Sequence, residues 1–130
     1  MRHAQILGLC CLLALPARAQ DAADVAPLAS ALTKLSRALD AAAHAPRHAA
    51  LDGQGLLDVV RTRDPVLMKA FAGNVVWARR DGGDSIVLVC DAGGRQALLE
   101  DAGCTAPLDV QHWQGFRQCA FTLDPAAVCR

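Results

Sequence analysis

Six cysteines, four histidines and a scatter of acids are the residues of this 130-residue chain that could do chemistry. Cys90, Cys104, Cys119 and Cys129 are separated by 13, 14 and 9 residues. A redox centre draws on a Cys-x-x-Cys pair, in which closeness lowers one thiol's pKa, and no such pair exists here. A zinc centre draws its ligands from short local pairs, and no two of these four cysteines lie within four residues of each other. The remaining chemistry is structural: two disulfides, with three connectivities open. We favour Cys90–Cys129 with Cys104–Cys119, because Cys129 ends the chain and would otherwise leave the preceding strand unsecured.

Asp40, His44 and His48 follow at i, i+4 and i+8, a spacing that lines up polar groups on an unbroken helix and could let two imidazoles share a metal. Pro46 stands between the histidines and argues for two separate side chains at a helix end instead, where a basic group suits the dipole. The run Asp91-Ala92-Gly93-Gly94-Arg95 resembles a phosphate-cradling turn, with Arg95 as the helper, but lacks the G-x-G-x-x-G and G-x-x-x-x-G-K-[ST] spacings. Its glycines are expected to turn the chain. His112-Trp113 offers a ring, an indole and a donor, a fair spot for an interaction. Ser30, Ser36 and Ser85 sit in no nucleophile motif. Glu100 and Asp101 are neighbours, which in a helix point apart. No cofactor is expected.

These groups need a compartment and a frame. Residues 1–19 read as a signal peptide: Arg2 and His3, an apolar run from Ile6 to Leu15, Pro16, then Ala17-Arg18-Ala19. The run is about ten residues, half of what spans a bilayer. Cys10 and Cys11 lack the small preceding residue of a lipid attachment site. Cleavage leaves residues 20–130 with an even four cysteines, as expected of a periplasmic or secreted protein. It also removes Arg2 and Arg18, so the balance of 13 basic and 13 acidic residues becomes 11 against 13. That charge gives no case for nucleic-acid binding. Arginine over lysine (11 to 2) and 26 alanines resemble the usage of a GC-rich bacterial genome.

The frame expected is a single α+β domain, helical over residues 24–73 and a disulfide-bearing sheet over 74–130. Val25, Leu28, Leu32, Leu35 and Leu39, spaced 3, 4, 3 and 4, form one stripe of a helix, with Pro27 in its first turn and Pro46 at its end. A short apolar helix covers Leu56 to Val60. Asp64, Pro65 and Gly73 mark the start and stop of a third helix. Asn74 to Arg80 and Ser85 to Cys90 form a hairpin about Asp81-Gly82-Gly83-Asp84. Arg95 to Ala102 reads as a short crossing helix, and Cys119 to Leu123 as a third strand. All five aromatics lie in residues 71–130.

Three functions are compatible with this frame. The favoured one is a small non-enzymatic binding protein of the exported kind, with the economy of periplasmic inhibitors and immunity proteins by analogy of size alone, recognising a protein or small ligand away from nucleic acid and membrane. The second is a metal-dependent or hydrolytic enzyme using His44, His48 or His112. The third is a self-assembling protein that pairs its Val25–Leu39 stripe with a second copy.

Overall fold

A computed structural model describes residues 22–104 and 112–129, without the side chains of residues 22–26 and 112–116. The proposed signal peptide lies outside the described residues. No described helix is long and apolar enough to cross a membrane.

The chain runs α1 (Ala22–His44), a 3-10 turn (Pro46–His48), α2 (Gly53–Arg63), a 3-10 helix (Pro65–Phe71), then β1 (Val75–Asp81), β2 (Asp84–Cys90), β3 (Gln96–Ala102) and β4 (His112–Gln118), and ends in one turn, α3 (Pro125–Val128). The four strands form an antiparallel sheet in the order β1-β2-β3-β4. The fold is α+β and disulfide-stabilised, as the composition of the two halves predicts.

The leucine stripe carries the main core. Leu32, Leu35 and Leu39 are fully buried and pack with Leu56, Leu57, Val60 and Phe71 onto Val87, Val89 and Leu99 of the sheet. Each such side chain contributes about 1.5–3 kcal/mol of transfer free energy. Leu32, Leu35 and Leu39 of the stripe are therefore engaged within one chain, with Leu28 packed at the margin of the same core. α1 approaches the sheet closely at Gly103, where a Cβ would stand 2.6 Å from the Asp40 Cβ and 2.9 Å from the Ser85 Oγ.

α2 starts earlier than its apolar run suggests, because Asp52 caps it by accepting the Gly55 N–H at 2.8 Å. α1 begins at Ala22, so Pro27 lies inside the helix and not in its first turn. Asp64 makes no side-chain cap, and the segment after it winds as a 3-10 helix instead of an α-helix. The hairpin is as expected: Asp81 pairs with Asp84, leaving Gly82-Gly83 as a two-residue turn with Gly82 at φ 60°.

Two elements of the C-terminal half differ from expectation. Residues 96–102 form β3, not a crossing helix. Ala, Leu and Glu favour helix, but β3 lies between β2 and β4 and is buried on both faces from Ala97 to Ala102, so packing overrides propensity. The sheet's fourth strand is supplied by His112–Gln118. Residues 119–123 form no regular strand; the Cys119 N–H donates to the Arg95 carbonyl at 2.8 Å, and the chain then leaves the ladder. Together with α3 they form a strap, residues 119–129, that runs back across the face of the sheet opposite the helices. There Phe121 packs with Leu88, Cys90 and Ala97 at one end and with Ile86, Ala102 and Leu123 at the other.

This path corrects the favoured disulfide pairing. The bridges are Cys90–Cys119 and Cys104–Cys129, with Cα–Cα separations of 5.8 and 5.6 Å. β2 and β4 both run antiparallel to β3, so their ends, Cys90 and Gln118, lie at the same end of the sheet. Cys119 is thus delivered to Cys90, and the returning strap carries Cys129 to Cys104 at the opposite end. Each bridge is worth about 2–4 kcal/mol.

Candidate binding surface

Alternation along β1 decides what the molecule shows on its strap face. Val76 and Ala78 turn toward the helices, so Val75, Trp77 and Arg79 turn the other way. Across the ladder Trp77 pairs with Leu88 and Arg79 with Ile86. The strap covers Ile86 and Leu88, whereas Trp77 on the outer strand keeps 45% of its surface exposed. Beside it the Arg79 guanidinium lies 5.2 Å from the Phe121 ring centroid and donates to the Leu123 carbonyl at 3.0 Å. The cation is thereby fixed to the strap by a ring and a carbonyl. The result is an indole and an arginine presented side by side from a stapled sheet, a pairing suited to contact with another protein.

The other residues singled out by sequence are placed as follows. His48 is buried, with Nδ1 2.9 Å from the Ala42 carbonyl oxygen and Nε2 accepting from Arg47 Nε at 3.2 Å. His44 is exposed, with its Nδ1 2.8 Å from the Asp40 carbonyl oxygen. Both nitrogens of His48 are thus engaged within the chain, and Pro46 ends α1 between the two rings. Asp91–Arg95 joins two strands, so the helix N-terminus that an anion site there would need does not exist; Asp91 Oδ1 instead accepts the Arg95 N–H at 2.7 Å. The backbone of His112 and Trp113 belongs to β4, opposite Glu100 and Leu99, while their side chains lie outside the described residues.

Sequence reasoning missed two charged residues that organise the fold, one buried and one half-buried. Glu100, fully buried, accepts the backbone N–H groups of Thr122 and Leu123 (both 2.8 Å), the Thr122 hydroxyl (2.7 Å) and Arg117 Nη2 (3.3 Å). Its carboxylate therefore takes the place of a neighbouring strand for the strap. Arg80 donates to the carbonyls of Ala43, His48, Ala49, Leu51 and Gly82. A recess of about 540 Å³ opens between Ala50–Gln54 and Ala78–Gly82, but its polar lining is already engaged. Arg80 is held as described, Gln54 Oε1 accepts the Ala78 N–H at 2.7 Å, and Asp52 caps α2. Gln54 at this point also blocks the outer edge of β1 against further strand pairing.

A third polar group lies where α1 meets β2 and β3. Asp101, buried, accepts the Ser36 hydroxyl at 2.6 Å. Asp40 nearby has a buried Oδ1 with no partner among the described residues, and its Oδ2 stands 3.7 Å from His44 Nδ1. Burial raises the Asp40 pKa, His44 opposes that effect, and the Asp84 carboxylate adds to it. A raised native pKa means that the folded state takes up the proton more readily than the unfolded one. The Asp40 contribution to stability therefore grows as pH falls through the raised pKa and is lost as pH rises. Asp40→Asn is expected to stabilise the protein at neutral pH by about 0.5 kcal/mol or less, solvent screening keeping the effect small, with the difference closing in acid. Urea unfolding across the acid-to-neutral range checks this. A variant less stable than wild type at neutral pH would show that the His44 contact dominates.

The fold and these interactions define a small α+β domain with two disulfides and a C-terminal strap. Comparison with protein-family models, with curated proteins and with solved structures gives no match for this chain.

Proposed function

We propose that the chain is an exported, non-enzymatic binding protein that recognises another protein through the Trp77–Arg79 face. The observation that carries this reading is the indole itself: 45% exposed, on a strand of a stapled sheet, with a held guanidinium next to it. Tryptophan and arginine dominate protein interfaces because they supply large contact area and directed donors at little cost in freedom. Two disulfides accord with an oxidising, extracytoplasmic setting. The engagement of His48, Glu100 and Arg80 in holding the fold supports recognition over catalysis.

The test is capture of a partner from the extracytoplasmic fraction of the source cells by the purified mature chain, followed by affinity measurement with that partner. Trp77→Ala is expected to weaken binding about 30-fold, as for an interfacial hot spot worth about 2 kcal/mol. Val66→Ala, an exposed apolar residue of the helical layer, should leave it unchanged. Equal binding by wild type and Trp77→Ala would overturn the assignment of this face.

A further inference from the structure

The end of the strap brings together three groups that the sequence keeps far apart. The carboxylate of Asp84, at the start of β2, and the sulfurs of Cys104 and Cys129 all lie within 4.8 Å of one another. A polar recess of about 150 Å³ adjoins them, lined by Asp81, Asp84, Pro125, Ala126 and Cys129. Asp81 and Asp84 face each other across the hairpin turn, and among the described residues neither has a cationic partner. A local excess of carboxylate beside two sulfurs is an environment that a divalent cation would relieve.

We infer that, when the Cys104–Cys129 bridge is reduced, Asp84, Cys104 and Cys129 form a binding site for a soft divalent cation of the zinc type, and that the ion replaces the disulfide as the fastening of the strap. Zinc–sulfur bonds of about 2.3 Å and zinc–oxygen bonds of about 2.0–2.2 Å place tetrahedral ligand atoms about 3.5–3.8 Å apart. The Asp84 carboxylate stands no more than about an ångström beyond that separation from either sulfur, and the two sulfurs, bonded to each other in the oxidised protein, are free to move apart by side-chain rotation once the bond is reduced. The recess leaves a fourth position open to water, with Asp81 at its rim.

The chemistry balances in two steps. A dithiol reductant gives two electrons and two protons to the Cys104–Cys129 bond, becomes a cyclic disulfide, and leaves two thiols. The cation then displaces both thiol protons to solvent and is held by two thiolates and one carboxylate. Exposure favours this reduction: Cys104 and Cys129 are both partly exposed, whereas the other bridge joins a fully buried Cys90 to a partly exposed Cys119 and so offers a reductant one accessible sulfur instead of two.

The experiment uses the mature chain, reduced with dithiothreitol, desalted without oxygen and titrated with Co²⁺ and then Zn²⁺. A thiolate-to-cobalt charge-transfer absorption is expected to saturate at one equivalent and to be abolished by Zn²⁺. Asp84→Asn should weaken cobalt affinity about tenfold or more, and Cys104→Ser should eliminate the absorption. Zn²⁺ should protect Cys104 and Cys129 from alkylation, read by peptide mass spectrometry, with circular dichroism confirming that each variant is folded. The Cys90→Ser/Cys119→Ser double variant tests the site separately and should retain the signal. No charge-transfer absorption, protection falling on Cys90 and Cys119, or an affinity unchanged by Asp84→Asn would each overturn the inference.

Discussion

Replacing Glu100 with alanine is expected to destabilise the protein by about 3–5 kcal/mol, the cost of removing the buried, hydrogen-bonded member of an ion pair. The substitution leaves the N–H groups of Thr122 and Leu123 without their acceptor, and Arg117 without its carboxylate. Glu100→Gln separates charge from shape. The amide oxygen can still accept both backbone N–H groups, but its NH₂ must face Thr122 Oγ1 and Arg117 Nη2, so a loss of about 1–2 kcal/mol is expected. Urea unfolding of the oxidised proteins measures both. Amide exchange should locate the change, with protection of Thr122 and Leu123 falling while that of α1 holds. The disulfides keep the strap attached in either variant, so its detachment from the sheet is resolved from global unfolding. A Glu100→Ala variant within 1 kcal/mol of wild type would refute a fastening role.

The second large effect is expected at Arg80. Its guanidinium makes five hydrogen bonds to carbonyl oxygens, three of them to the connection between α1 and α2 and one to Ala43 in the last turn of α1. A fixed positive charge at that position also complements the helix dipole. Arg80→Ala should cost about 2–4 kcal/mol, since bonds from a charged donor are worth more than neutral ones. Arg80→Lys keeps the charge but not the planar fork, and should restore less than half of the loss. Chemical denaturation gives the totals, and faster amide exchange at Ala49 and Leu51 reports loosening of the connection. Full restoration by lysine would mean that charge alone, not the forked geometry, holds this turn.

The helical layer was legible because one side of α1 is buried and the other is wet, so Leu32, Leu35 and Leu39 stand out against Lys34 and Arg37. The hairpin was legible because Gly82-Gly83 supplies backbone freedom between two β-branched runs. β3 was not, because burial on both faces erases alternation and leaves only the helical propensity of Ala, Leu and Glu. β4 was obscured by Gly115 within a polar-aromatic run. The strap was misread for a related reason: beyond Cys119, whose N–H reaches the Arg95 carbonyl, the acceptor for Thr122 and Leu123 is a side chain, and no pattern in the strap itself announces Glu100. The candidate binding face was legible in part, since strand alternation over Asn74 to Arg80 puts Val75 and Trp77 on one side of β1. Its exposure depended on where the strap crosses, which a sequence pattern does not encode. The Asp84–Cys104–Cys129 group was invisible to spacing because its members come from three separate segments.

The order of the two disulfides along the chain has a further consequence. Cys90–Cys119 and Cys104–Cys129 interleave, each bridge enclosing one cysteine of the other. A single cut by a protease anywhere between Cys90 and Cys129 therefore leaves at least one bridge joining the two pieces. Outside the cytoplasm, where peptidases act without repair by resynthesis in place, a nicked molecule stays in one piece with its strap still tied to the sheet.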